Sequence, residues 1–177
     1  MREDIEVQAL IDEGEYFLTA RQIVAPRRGD PGDDLPGESF FPTTLQTTLQ
    51  VWTDGSCNAG GVMGRGGWAV LIDENGVRHQ ITGSAEGTTH NRMELTAVCE
   101  ALEAVTGRPV VVRTDSTYVL KLTRPECKPL KNLDLVARIQ ALLTEGVTFE
   151  WIKGHSGNEG NNYVDKAARI SAEGHPG

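Results

Sequence analysis

Cysteine is scarce in this 177-residue chain, with only Cys57, Cys99 and Cys127. Their number is odd and no two stand at a metal-ligand spacing. That argues against a disulfide framework and against the common zinc modules. A reduced, cytoplasmic setting is the expectation. No apolar run approaches the length of a membrane span, and no positively charged segment leads into a signal-like apolar stretch, so no membrane partner is expected. Basic residues are few, 17 Lys and Arg against 25 Asp and Glu, for a formal charge of −8. This speaks against a protein that grips nucleic acid by bulk attraction alone. The glycine-rich stretch "SCNAGGVMGRGG" lacks the lysine and serine of a P-loop, which removes a nucleoside-triphosphate cradle of that kind. No Ser–His–acid or Cys–His constellation stands out.

What is present suffices for one domain with a sizeable core, since 38% of residues are hydrophobic. The charge is unevenly placed: residues 1–50 hold 10 acids and 4 basic residues, residues 51–177 hold 15 and 13. Residues 5–24 permit a short helix or a hairpin, and the Pro- and Gly-rich "APRRGDPGDDLPGESFFPTT" reads as a linker. Residues 1–48 are therefore taken as a partly disordered arm, 49–173 as the compact domain and 174–177 as a tail.

Within the domain, "LQVWTDGS" reads as a strand running into a turn at Gly55. "GWAVLID" and "VRHQITGS" follow as a hairpin with Asn75–Gly76 at its tip. Apolar residues at 93, 95, 98, 102 and 105 recur near helical spacing and predict a helix over Asn91–Val105, stopped by Gly107 and Pro109. "PVVVRTD" is a short apolar strand suited to a sheet centre. "STYVLKL" and "NLDLVARIQALL" are helices, "VTFEWIK" the fifth strand and "GNNYVDKAARISAE" the closing helix. The order β-β-β-α-β-α-α-β-α predicts an α/β fold, a five-stranded mixed sheet flanked by helices. Trp68, Phe149 and Trp151 alternate within strands and are expected to pack.

Four acids fall at telling places. Asp54 and Asp115 end two strands, Glu94 lies in the first turn of a helix, and Asp165 sits among Tyr163, Val164, Ala167 and Ala168. Each has an ordinary reading: Asp–Gly turn, helix cap, dipole partner, exposed helix acid. Together, oxygen ligands without His or Cys suit a hard divalent ion such as Mg²⁺ or Mn²⁺. Two such ions can clamp a phosphodiester. Composition and spacing alone lead to a metal-dependent enzyme and no further.

The motifs "TDGS", "NRMEL", "RTDSTYV" and "WIKGHSGNEGNNYVDKAA", in this order, resemble ribonuclease H of the bacterial type 1 class. "GGWAVLI" and "KPLKNLDL" resemble it too, and the likeness runs from Leu49 to Glu173. It implies the ribonuclease H-like fold and endonucleolytic hydrolysis of the RNA strand of RNA–DNA hybrids. The products would carry 5′-phosphate and 3′-hydroxyl ends, and two Mg²⁺ or Mn²⁺ would serve as cofactors. Asp54 would bridge both ions. Glu94 would be a ligand near the ribose 2′-hydroxyl, Asp115 the third ligand, and Asp165 the fourth, near the attacking water. His155, in a loop flanked by Gly154 and Gly157, would shuttle protons or help the product leave.

The resemblance also implies how substrate is read. Gly55, Ser56, Cys57, Asn58 and Asn91 match minor-groove readers, although the loop at Asn58 is two residues longer than usual. Thr89 and Asn132 match positions that hold a DNA phosphate, but Gly87 stands where an arginine is common. His90 replaces what is often an asparagine and is given no role. A basic helical handle found in many bacterial members is missing from "KLTRPECKPLKN". Lys121, Arg124, Lys128 and Lys131 remain there as candidate phosphate contacts. A monomer acting on a hybrid is expected. The rivals are another nuclease of the same superfold, reverse-transcriptase-like or integrase-like, and a hybrid-binding module without catalysis.

Overall fold

The computed structural model describes residues 11–12, 15–18, 48–58, 63–124 and 126–174. Its central strand is β3 (Leu49–Cys57), in which Leu49, Val51 and Thr53 are buried on one face. β4 (Gly64–Glu74) and β5 (Val77–Thr88) follow antiparallel to it and to each other. They are joined by Asn75 and Gly76 at φ 54° and 87°. Two successive positive φ values make the Asn–Gly pair the natural choice for this hairpin. The Asp73 carboxylate accepts the Gly76 N–H at 2.8 Å and closes the turn.

Helix α1 (His90–Ala104) starts one residue earlier than the apolar spacing predicts. The Thr89 hydroxyl accepts the Arg92 N–H and caps it. Strand β6 (Val110–Thr114), helices α2 (Thr117–Leu122) and α3 (Leu133–Leu142), strand β7 (Val147–Trp151) and helix α4 (Glu159–Glu173) complete the domain. Ser116 caps α2 by accepting the Val119 N–H. β6 runs parallel to both β3 and β7, so the five-stranded mixed sheet is ordered β7-β6-β3-β4-β5. Two short strands, β1 (Ile11–Asp12) and β2 (Glu15–Leu18), pair as a hairpin, and β2 adds antiparallel to β7 at the sheet's edge. Of residues 5–24, for which the sequence permits a helix or a hairpin, only 11–12 and 15–18 are described, and these pair antiparallel. The Pro- and Gly-rich linker and the 174–177 tail lie outside the described residues, apart from Gly174.

The main core lies between the sheet and α1, α2 and α3. It includes Val51, Val70, Leu95, Val98, Leu102, Val112 and Phe149. Burying each such side chain contributes roughly 1.5–3 kcal/mol. Trp68 and Trp151 pack partly buried against this core, as their alternation in strands suggests. The other face is thinner. Ala69 and Leu71 meet Val164 and Ala168 of α4. A Cβ on Gly67 would overlap the backbone of Ala168 and Ala172, so α4 rests directly on β4.

A second close approach places the site. A Cβ on Gly55 would overlap the backbone of Met93 and Glu94. The expected turn at Gly55 is absent: β3 continues to Cys57, with Gly55 paired to Trp68. The residue is glycine because the start of α1 lies against the strand there. That contact carries Glu94 beside Asp54.

Candidate metal centre

Asp54, Glu94 and Asp115 offer carboxylate oxygens that all lie within 4.8 Å of one another. β3 supplies the first from within its length, and Asp115 follows the last residue of β6. Because β3 and β6 are parallel and paired, their upper ends come side by side. Such ends of an α/β sheet are where ligands commonly bind. Glu94 is the fifth residue of α1 rather than a first-turn acid, so the helix dipole does little for it. Depth distinguishes these acids: Asp54 is 6% exposed and Glu94 3%.

Each carboxylate has few partners. The Gly55 N–H donates to Asp54 Oδ1 at 2.8 Å. The Asn161 amide donates to Asp115 Oδ2 at 3.2 Å, and Asn161 is held by the Asn158 cap that starts α4. His90 Nε2 lies 3.1 Å from Glu94 Oε1, while Glu94 Oε2 is buried with no hydrogen-bond partner among the described residues. Burial, and then the charges of Glu94 and Asp115, push the Asp54 carboxyl up to about 9. Burial also raises Glu94, with His90 acting against it. The hydrogen bond to Glu94 raises His90. Three clustered carboxylates, two of them buried and none paired with Lys or Arg among the described residues, are what a hard cation would satisfy. The all-oxygen donor set fits a hard divalent cation.

Asp165 stands apart from this trio. Its carboxylate pairs with Arg169 at 2.8 Å, one helical turn on. It still faces the same cavity of about 360 Å³, which Asp54, Glu94 and Asp115 line with Gly55, Ser56 and Cys57. His90, His155 and Arg169 complete the wall. His155 has φ 55° and Gly157 φ 86°, so the loop between β7 and α4 is tightly bent. Gly154 serves closeness: a Cβ there would lie 2.8 Å from Asp115 Oδ2. A larger groove of about 570 Å³ between β5 and α4 includes Arg65, Tyr163 and Lys166. No carboxylate lines it, so it is not the centre described here.

The other sequence candidates are scattered. The Asn58 amide donates to the Ala172 carbonyl at 3.3 Å, away from the cavity. Thr89 is occupied as the α1 cap. Asn132, at φ 56°, donates to the Tyr118 hydroxyl at 2.9 Å and accepts from Arg92 at 3.3 Å. Arg92 thus comes to the Thr89–Asn132 region, although it also pairs with Asp134 at 2.6 Å. Asn91 is exposed on α1 and does not line the cavity. Lys121, Arg124, Lys128 and Lys131 are exposed, and none forms an ion pair among the described residues. No described helix lies between α2 and α3, in keeping with the missing handle. His90, named from the sequence but given no role, lines the cavity, whereas Arg169 and Asn161 were not singled out from the sequence. His90 and Arg169 each stand four residues from a candidate acid, a spacing that could have found them.

The RNase H family model matches residues 46–173. The chain belongs to the RNase H family. It falls in the bacterial type 1 class. Ribonuclease H of Hyphomonas neptunium is 41% identical over 142 residues, covering 71% of this chain and 93% of that protein. Ribonuclease H of Nitrosospira multiformis is 41% identical, covering 70% and 88%. Among solved structures, LC9-RNase H1, described as a type 1 RNase H with the type 2 active-site motif, is 29% identical. It superposes with a TM-score of 0.61, covering 71% of this chain and 72% of that one. LC11-RNase H1, solved with an RNA/DNA hybrid, shares the fold at TM-score 0.59 and 24% identity, covering 71% and 97%. RNase H membership and the acidic centre together make this chain a hydrolytic nuclease of the RNase H fold.

Proposed function

We propose that the chain cleaves the RNA strand of RNA–DNA hybrids endonucleolytically, leaving 5′-phosphate and 3′-hydroxyl ends, with two Mg²⁺ or Mn²⁺ ions. The observation that carries this reading is the convergence of Asp54, Glu94 and Asp115 at one sheet end, with Glu94 Oε2 buried and without a hydrogen-bond partner among the described residues. Asp54, Glu94 and Asp115 would hold one ion, and Asp165 would join them for the second. Divalent cations bound there supply Lewis-acid stabilisation of the phosphodiester and a nucleophilic water at neutral pH.

The remaining work falls to the chain's own groups. Asn161 steadies Asp115 through its amide, and the Gly55 N–H steadies Asp54. His155, on its bent loop at the cavity wall, accepts or returns a proton at the leaving oxygen and helps product depart. Gly55, Ser56 and Cys57 line the cavity with the acids, which supports a role for them in reading the 2′-hydroxyl, the group by which a protein tells RNA from DNA. Affinity comes from backbone contacts. Thr89 and Asn132 take a DNA phosphate with Arg92 beside them. Lys121, Arg124, Lys128 and Lys131, which form no ion pair among the described residues, replace the handle.

The test is a cleavage assay with Mg²⁺ or Mn²⁺ on hybrids carrying a label on the RNA strand or on the DNA strand, with duplex RNA and duplex DNA alongside. Cutting confined to RNA in the hybrid supports the reading. Cutting of DNA indicates an integrase-like nuclease, and binding without cutting a non-catalytic module.

A further inference from the structure

The proposed reaction leaves two polar groups of the cavity wall without a task, and of these Arg169 pairs with Asp165 while His90 meets Glu94. His90 is the first residue of α1, on the rim of the cavity, and Glu94 follows it by one helical turn. Its Nε2 sits 3.1 Å from Glu94 Oε1, and the two side chains differ sharply in exposure, 61% against 4%. The imidazole therefore reaches inward from solvent to a buried carboxylate. The other oxygen, Oε2, has no hydrogen-bond partner among the described residues. A glutamate has three rotatable bonds, and a buried one with a single fixed oxygen has little freedom left. Ligating carboxylates are commonly oriented by such outer hydrogen bonds.

We propose that His90 is a positioning residue, whose Nε2–H holds Glu94 Oε1 so that Oε2 is presented to a divalent cation. The inference rests on the reading of Asp54, Glu94 and Asp115 as cation ligands. It does not depend on which nucleic acid is cut. It assigns a function to the position at which this chain carries histidine in "THNRMEL". It needs only a donor at that point in space, so a glutamine amide, which reaches about as far as imidazole Nε2, should substitute for it.

The experiment compares the full chain with H90Q, which keeps a donor, and H90L, which keeps bulk without one. Mn²⁺ alone is titrated into each by calorimetry with no nucleic acid, and hybrid cleavage is then followed for kcat and KM. H90L is expected to bind Mn²⁺ about 10- to 100-fold more weakly and to lose kcat with KM for hybrid unchanged, whereas H90Q stays close to the parent. Parent-like Mn²⁺ affinity in H90L overturns the proposal, as does an equal loss in H90L and H90Q. A rise in KM with unaltered Mn²⁺ affinity also overturns it, by making His90 a substrate contact. Failure of the parent to cut hybrid, with the Mn²⁺ pattern intact, would sink the substrate reading and leave this inference standing.

Discussion

Glu94 and Glu103 lie on the same helix, nine residues apart, and experience opposite surroundings. Glu103 is exposed and meets the Arg138 guanidinium at 2.6 Å, which holds its carboxyl below the usual range. Glu94 is buried, pairs with no arginine among the described residues, and is pushed above that range. The contrast extends across the molecule. Glu74 pairs with Arg108, Asp134 with Arg92 and Glu159 with Arg78. Asp54 and Asp115 have a backbone N–H and an amide respectively. These peripheral acids are neutralised by arginines of the chain itself. Those at the β3–β6 end are left for something else to neutralise, and such a deficit costs stability until it is filled.

The comparison can be broken by exchanging the two kinds of acid. E94Q should lower hybrid cleavage by about 1000-fold or more, roughly 4 kcal/mol of transition-state stabilisation. E103Q should change it by less than about twofold. The same assay under matched metal checks both, and comparable losses would erase the distinction. D54N should also abolish cleavage, yet melt about where the parent does at neutral pH when metal is chelated, because a carboxyl raised to about 9 is already protonated there and the amide replaces one neutral group with another.

Gly55→Ala tests the packing that creates the deficit. Its Cβ would have to displace the start of α1. Urea unfolding should show a loss of about 2–3 kcal/mol, with weaker metal binding. Unchanged stability would mean that the helix start yields freely.

Metal and pH separate the two sets next. At a hundredfold excess over its dissociation constant, Mg²⁺ should add about 2.7 kcal/mol and raise the melting temperature. Asp54 is raised from 3.8 to about 9, so between those values the folded chain binds more protons than the unfolded one. Metal-free stability should then fall as pH rises through that window, and Mg²⁺ should flatten the slope. The peripheral acids act the other way. Asp134 is held down to about 2 by Arg92, and its contribution is lost only as pH falls below the usual carboxylate range. The smallest effect expected is that of Arg138→Ala, under about 1 kcal/mol in thermal or urea unfolding, since its partners are surface acids.

Much of this was legible in the chain. Asn75–Gly76 announced its hairpin because a two-residue turn needs positive φ. The helix carrying Glu94 announced itself by apolar spacing. The four acids stood out because hard cations need oxygen ligands. Close approach was not legible. Gly55 and Gly154 look like turn or hinge glycines in one dimension, and only the packed structure shows each making room, one for a helix and one for a carboxylate. Asp165 reads like the other three acids in sequence, yet lies outside the trio with Arg169. Asn58 fits a reader's place but turns its amide to α4. Such outcomes are set by contacts between distant segments, which local patterns do not encode.

The central claim is that Asp54, Glu94 and Asp115 form a seat for a divalent cation. A crystal of the full chain grown with Mn²⁺, measured for anomalous scattering, tests it most directly. The account predicts a peak about 2.1 Å from an oxygen of each of the three side chains. A clean map with no peak among them, or with Mn²⁺ bound only elsewhere, would contradict it.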